Sequence, residues 1–283
     1  MTALLTHRLQ GHGEEVVVLL NGGMMTHSSW APIAEELLNS GYRVLGCDFR
    51  GQLLTPRPAP ERIEDHAPDV LALLDALDID RPHLLGTSYG GEVGLVAASS
   101  EPDRFRSLAV VTAVDRTPPG MAESSRHTQG LVREILNGES SRRFRDDLLE
   151  SFYSVDYRRS HAEELERRQR QTAELPHSWY EGLLGILASL EDFDLTPRLG
   201  DITAPTLVVH AALDAVMPAE RVKALAQGIP GARLQIHGSS GHALVVEDPK
   251  WLAETYLEFL SGLGGRNARG QDAQGQDARG RDA

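Results

Sequence analysis

Three side chains in this sequence have the types that a relay for nucleophilic attack requires. Ser88 lies in the run G-T-S-Y-G at 86–90, Asp214 follows an apolar run at 206–209, and His242 follows a glycine- and serine-rich stretch. A serine hydroxyl is a poor nucleophile at neutral pH, so it needs a nearby base, and the base needs an acid that orients it. Together the three residues predict that Ser88 is an activated nucleophile.

The G-x-S-x-G pattern around Ser88 lies between a short apolar run at 82–85 and a stretch of small and apolar residues at 91–100. At a strand-to-helix junction this pattern forms a tight turn that lifts the serine hydroxyl clear of the backbone. The glycines are needed because a side chain at either position would crowd the turn and the neighbouring strand. The pattern by itself is common, so its position between a predicted strand and a predicted helix carries most of its weight.

Short apolar runs alternate with longer amphipathic stretches along most of the chain. Continuous apolar strands of this kind are buried on both faces, which is typical of a parallel sheet, so the alternation predicts an α/β fold. The predicted strands cover 16–20, 42–47, 82–85, 107–114, 206–209 and 233–236, and the predicted helices cover 30–39, 67–77, 91–100, 219–227 and 250–260.

The strand pattern stops after 107–114, and the following residues are rich in Arg and Glu with helical spacing of Leu and Ile. We therefore predict a helical cap at 115–200, inserted over one end of the sheet, and a core made of 1–114 and 201–262. The tail at 263–283 ends in three near-identical pentapeptides whose largest apolar residue is alanine. Because such a segment buries too little apolar surface to offset its ordering entropy, we predict that the tail is disordered.

Composition limits the classes of partner and compartment. The 283 residues carry a formal net charge of −13, which disfavours nucleic acid and anionic membrane surfaces as partners. No apolar run approaches the roughly 18 residues of a membrane span, and the first residues lack a secretory signal. Cys47 is the one cysteine, which favours a cytoplasmic location. The histidines lack zinc-site spacing and no nucleotide-binding motif is present, so we expect no metal and no cofactor.

Other residues could serve as the acid or the base. Asp115, at the end of a predicted strand, is an alternative acid, and Asp214 could instead cap the helix that follows it. His210 and His237 also lie near strand ends, but His242 follows the flexible loop that a mobile imidazole needs. The sequence therefore favours Ser88, Asp214 and His242.

Five motifs in this order resemble those of the α/β-hydrolase superfamily, and the resemblance covers about residues 14 to 262. The motifs are the oxyanion loop at 21–23, the D-x-R-G turn at 48–51, the nucleophile elbow at 86–91, the strand before the acid at 204–209 and the histidine loop at 240–242. Within the D-x-R-G turn, Asp48 and Arg50 are expected to form an ion pair.

The resemblance implies an α/β-hydrolase fold and a Ser88–His242–Asp214 triad. It also implies that the backbone N–H groups of Gly23 and Tyr89 bind the oxyanion, with Met24 in place of Gly23 if the loop is shifted by one residue. Two departures from the family pattern stand out. Asn21 replaces the histidine of many relatives, and 52–54 (Q-L-L) replaces a second glycine-containing step.

The activity that the resemblance implies is cofactor-free hydrolysis of a small or medium carboxylic ester, lactone or thioester through an acyl-enzyme. The expected partner is thus a small acyl substrate. The same triad also serves carbon–carbon bond hydrolases and acyltransferases. Some proteins of this fold keep the triad but sense a ligand or signal. These alternatives remain open on the sequence.

Overall fold

Seven short strands form one sheet at the centre of the computed structural model, which describes residues 4–55 and 58–276, with side chains up to residue 263. The strands are β1 (Thr6–Gln10), β2 (Val16–Leu20), β3 (Arg43–Asp48), β4 (His83–Thr87), β5 (Ser107–Val111), β6 (Thr206–Ala211) and β7 (Arg233–His237). Their order is β1-β3-β2-β4-β5-β6-β7; β1 is antiparallel to β3, and the other neighbours are parallel. The predicted α/β fold with a mostly parallel sheet is confirmed.

The central strands are apolar throughout because both of their faces are covered. Strand β2 illustrates this: Val18 and Leu20 pack into the core on one face of the sheet, whereas Val17 and Leu19 pack into the core on the other. All five residues of β2 are buried. Alternate side chains of a strand point to opposite faces, so a continuous apolar run requires two apolar layers.

Helices form those two layers. The first layer joins α1 (Ala31–Asn39) with α11 (Pro249–Gln276), and the second contains α2 (His66–Ala76), α3 (Tyr89–Ser100) and α9 (Ala219–Gly228). The short helix α10 (Leu244–Glu247) precedes α11. None of the helices in the described part of the chain has both the length and the hydrophobicity to span a bilayer.

The structure differs from the sequence-based expectations at three elements: β1, β5 and α11. Strand β1 was not expected, because it is a polar edge strand of five residues without an apolar run. Strand β5 ends at Val111, three residues early, because Thr112 has a φ of +45° that interrupts the extended backbone. Helix α11 continues to Gln276, into the tail that we predict to be disordered. Residues 277–283 of that tail lie outside the described residues.

Five helices occupy the insertion between β5 and β6. They are α4 (Pro119–Leu136), α5 (Arg142–Phe152), α6 (Val155–Ser160), α7 (Ala162–Ala173) and α8 (His177–Ala188). They have a small apolar core of their own, in which Leu131, Phe144, Trp179 and Leu183 are buried together.

The insertion leaves and rejoins the core through two adjacent segments. The carbonyl of Asp115 accepts a hydrogen bond from Leu195 N–H at 2.8 Å, and Thr117 N–H donates to Phe193 at 2.9 Å. The buried Asp115 carboxylate also pairs with Arg221, at the start of α9. These contacts fix both ends of the insertion on the core.

Helix α3 contains an acidic residue in an apolar setting. Glu92 lies one turn after Ser88, and its N–H donates to the Ser88 carbonyl at 3.1 Å. Its side chain is completely buried. Burial raises the pKa of Glu92 to about 8, so the side chain is a neutral acid over most of the physiological pH range.

This pKa predicts an unusual pH dependence of stability. The unfolded chain releases the Glu92 proton near pH 4.3, whereas the folded chain holds it up to about pH 8. The contribution of Glu92 to the free energy of unfolding is therefore greatest at low pH, and it falls between these values by up to about 1.4 kcal/mol per pH unit. Glu92→Gln is expected to remove this slope in urea denaturation. The exposed Glu254 provides the control, Glu254→Gln. Equal slopes for Glu92→Gln and the wild type would contradict the prediction.

Candidate active site

Ser88 occupies a strained turn between β4 and α3. Its φ is +50° and its ψ −125°, a conformation that non-glycine residues avoid unless the surroundings impose it. The two flanking glycines are required by close packing. A Cβ atom at Gly86 would lie 2.4 Å from the carbonyl oxygen of Gly90, and one at Gly90 would lie 2.2 Å from that of Leu20. The Ser88 N–H donates to Val111 at 2.8 Å, which ties the turn to β5.

The structure brings Ser88, His242 and Asp214 into one hydrogen-bonded chain. Ser88 Oγ lies 3.1 Å from His242 Nε2, and His242 Nδ1 lies 3.0 Å from Asp214 Oδ2. The three residues follow β4, β7 and β6, whose carboxyl ends meet at the same edge of the sheet. Although the residues are far apart in sequence, their spacing in the fold is that of a nucleophile, a base and an orienting acid.

The surroundings of Asp214 favour its ionised form. Its carboxylate is buried, which alone would raise its pKa. The imidazole of His242, together with the N–H groups of Met217 and Val216, outweighs burial and holds the pKa of Asp214 below its ordinary value. The group is therefore a carboxylate at neutral pH and accepts the Nδ1–H of His242.

The insertion touches the loop that carries His242. The Phe152 ring packs edge-on against the imidazole, with centroids 4.9 Å apart, and the Phe152 carbonyl accepts a hydrogen bond from Ala243 N–H at 2.8 Å. Glu247 accepts hydrogen bonds from Gly241 N–H at 3.0 Å and from the hydroxyl of Ser154 at 2.6 Å. No sequence pattern placed Phe152, Ser154 or Glu247 at the histidine loop, because these contacts join distant parts of the chain.

The alternative acid has a different partner. Asp115 is buried against Arg221, and it also accepts a hydrogen bond from Thr196 Oγ1 at 2.8 Å. Both interactions fix the start of the insertion to the core. Neither partner of the Asp115 carboxylate is an imidazole.

The alternative bases are also placed elsewhere. His237 accepts the N–H of Ser240 and lies 3.2 Å from the Asp248 carboxylate, so it shapes the histidine loop. His210 is buried in β6, and burial lowers its pKa. Among the described residues, His242 is the histidine that contacts Ser88.

The expected oxyanion donors flank Ser88. Gly23 and Tyr89 both line the cavity above the hydroxyl, and a Cβ atom at Gly23 would lie 4.0 Å from that of Tyr89. Within the described part of the chain, neither backbone N–H donates to an acceptor. Met24 lines the same cavity, so the choice between Gly23 and Met24 stays a prediction.

The expected ion pair between Asp48 and Arg50 is wrong. Arg50 pairs with Asp69 instead, at 2.5 Å. Asp48 is completely buried and accepts hydrogen bonds from Asn21 Nδ2 at 3.0 Å and from the backbone N–H of His27 at 2.6 Å. The carboxylate turns inward because these donors surround it, whereas the long Arg50 side chain reaches a carboxylate nearer the surface.

A cavity of about 1120 Å³ opens above Ser88 between the sheet edge and the insertion. Its lining is mainly apolar by area but also includes charged side chains of the insertion, among them Glu123, Arg145, Glu150 and Arg168. In the part of the chain that the structure describes, no group of acidic, histidine or cysteine side chains could hold a metal ion. The apolar lining residues include Met24, Met25, Met121, Leu131, Phe152, Leu183, Ile186, Leu187 and Leu190.

Comparisons with known proteins agree with this geometry. The family described as alpha/beta hydrolase fold matches residues 15–249. The chain is 31% identical to the "Putative carbamate hydrolase RutD" of Variovorax paradoxus over 91% of this chain and 96% of that protein. It is 28% identical to the 2-hydroxy-6-oxononadienedioate/2-hydroxy-6-oxononatrienedioate hydrolase of Paraburkholderia xenovorans, over 89% and 88%.

The chain is also similar to a solved structure. The enol-lactonase of Burkholderia xenovorans LB400 superposes with a TM-score of 0.79 at 26% identity, over 91% of this chain and 96% of that one. The family match covers strands β2 to β7, the elbow and the insertion together. The chain is a hydrolase and belongs to the alpha/beta hydrolase family.

Proposed function

We propose that this hydrolase cleaves a small or medium carboxylic ester, lactone or thioester through an acyl-enzyme on Ser88. The supporting observation is the continuous hydrogen-bonded chain from Ser88 Oγ through His242 to Asp214 at the floor of a large, mainly apolar cavity.

In this mechanism Ser88 Oγ attacks the carbonyl carbon while its proton moves to His242 Nε2. Asp214 stays ionised and stabilises the imidazolium. The N–H groups of Gly23 and Tyr89 bind the oxyanion, each contributing about 3 kcal/mol in comparable sites. The imidazolium then protonates the leaving oxygen or sulfur. A water attacks the acyl-enzyme in the same manner and regenerates the free hydroxyl.

We further propose that the insertion, residues 115–200, acts as a cap that forms the apolar roof of the acyl pocket. Four of its residues support this role: Leu131 from α4, and Leu183, Ile186 and Leu187 from α8 line the cavity. An apolar roof would favour an acyl chain over a charged substituent.

A carbamate or an enol lactone is a second candidate substrate. The same attack on a carbonyl carbon would cleave either compound, and the relatives above carry these activities in their names. Carbon–carbon bond hydrolysis also stays a candidate, since another relative is named for a 2-hydroxy-6-oxo diacid. Product analysis with each class of compound separates these reactions, and an added alcohol acceptor reveals acyl transfer.

Ser88→Ala is expected to abolish both labelling by a fluorophosphonate probe and turnover of p-nitrophenyl esters. The variant removes the attacking oxygen, and loss of a triad nucleophile costs about 10⁶-fold in kcat. The matched control is Ser29→Ala, because Ser29 lines the same cavity without contacting His242. Labelling of Ser88 without repeated turnover of any ester would favour a ligand sensor over an enzyme.

Substitutions of the two buried aspartates are expected to have different effects, one on activity and the other on stability. Asp214→Asn should lower kcat by about 10⁴-fold, because the amide no longer orients and stabilises the imidazolium. Asp115→Asn should instead lower the free energy of unfolding by about 3 kcal/mol, since Arg221 loses its buried partner. Its kcat should stay within about threefold of the wild type. Steady-state kinetics and urea denaturation measure both, and a larger kcat loss in Asp115→Asn would make Asp115 the acid.

Substitution in α8 tests the proposed roof. Leu187→Phe adds volume to the cavity wall, so we expect kcat/KM for p-nitrophenyl octanoate to fall about tenfold more than for the acetate. Leu184→Phe is the control, because Leu184 lies on the same helix and is not one of the cavity-lining residues. If Leu187→Phe leaves the preference for acyl-chain length unchanged, the insertion does not line the acyl site.

A further inference from the structure

We propose that Gln52 is a positioning residue that fixes the direction of the Gly23 N–H, and this inference rests on the proposed function. Gln52 lies in the turn after β3, and its side chain is 2% exposed. Its Nε2 donates to the carbonyl oxygen of Gly22 at 2.8 Å. This carbonyl belongs to the same peptide group as the Gly23 N–H.

The planar geometry of that peptide group transmits the contact. In a trans peptide the C=O and N–H bonds point in opposite directions, and no described peptide bond is cis. Holding the Gly22 oxygen towards Gln52 therefore turns the Gly23 N–H the other way, towards the cavity that Ser88 and Tyr89 line. The Gly22 oxygen also accepts the N–H of Met25 at 3.0 Å, so Gln52 adds a second restraint to a peptide between two glycines, which rotates easily.

The orientation of the Gln52 amide is itself determined. Its Oε1 accepts hydrogen bonds from Asn21 Nδ2 at 3.0 Å and from Phe49 N–H at 2.9 Å. A flipped amide would place its NH₂ group against both of these donors and its oxygen against the Gly22 carbonyl. The side chain therefore has one satisfied arrangement, in which Nε2 faces Gly22.

Asn21 connects the Gln52 amide to two further buried side chains, Trp30 and Asp48. Asn21 Oδ1 accepts the indole N–H of Trp30 at 3.0 Å, and Asn21 Nδ2 also donates to Asp48 at 3.0 Å. Asn21 stands where many relatives have a histidine, and Gln52 lies within the turn that departs from the family pattern. The two departures are adjacent in the fold and form one hydrogen-bonded pair.

A trifluoromethyl ketone tests the proposal directly. Ser88 Oγ adds to its carbonyl carbon, the hydroxyl proton moves to His242, and the former carbonyl oxygen becomes an oxyanion that the donors bind. The secondary alcohol of the same chain length occupies the pocket without forming an oxyanion. The ratio of the two dissociation constants therefore measures oxyanion binding apart from pocket shape.

Gln52→Leu is expected to weaken inhibition by hexyl trifluoromethyl ketone about 10- to 100-fold, and to lower kcat for p-nitrophenyl butyrate by a similar factor. KM and the affinity for the corresponding alcohol should change less than about threefold. Thr55→Val is the matched control, since Thr55 is buried in the same turn and bonds Asp48 and Thr6 rather than Gly22. An equal loss of ketone and alcohol affinity, or unchanged ketone affinity, overturns the proposal.

Gln52→Glu tests the hydrogen bond donated to Gly22 separately from side-chain size. It also provides the test if Gln52→Leu does not fold. A protonated carboxyl group can donate to Gly22, whereas a carboxylate cannot. Charged and titratable groups around this turn include Asp48 and His27, which bond each other, and Arg50, which pairs with Asp69. We expect the ratio of variant to wild-type kcat/KM to fall about tenfold from pH 5 to pH 8. A ratio that does not fall overturns the proposal. Absence of Ser88-dependent turnover in the wild type would instead refute the proposed function.

Discussion

Backbone contact between helix α3 and strand β2 is the constraint on which the proposed active site depends. A Cβ atom at Gly90 would lie 2.2 Å from the carbonyl oxygen of Leu20. Leu20 is also the register partner of Gly86, so this contact brings the loop after β2 against the turn after β4. Any side chain at Gly90 would push the two apart. The proposed donors, at Gly23 and Tyr89, would then separate.

Buried carboxyl groups in this protein differ in charge state because their partners differ. Asp214 has an imidazole and two backbone N–H groups beside it, and these lower its pKa despite burial. Glu92 lies in an apolar layer, where burial raises its pKa to about 8. Desolvation acts in the same direction on both groups, so the neighbouring donors and cations decide the outcome. One carboxyl group is thus a carboxylate suited to orient a base, whereas the other is a neutral acid that packs as part of the core.

The insertion is fixed to the core at its base and also at the candidate active site. Asp115 and Arg221 hold its base, while Phe152 and Ser154 contact the loop that carries His242. A movement of the insertion would therefore shift the imidazole as well as the roof of the cavity. The shape of the proposed acyl pocket and the alignment of the proposed base are physically coupled in this fold.

The sequence by itself determined the α/β alternation, the elbow and the order Ser88, Asp214, His242, because strand burial and tight turns leave local patterns. It missed β1, a polar edge strand without such a pattern, and it paired Asp48 with the wrong residue. Only the tertiary structure decided which acid faces the imidazole and which side chains hold the loop after β2. Those choices depend on contacts such as Gln52 with Gly22, between residues that packing brings together and that sequence spacing does not specify.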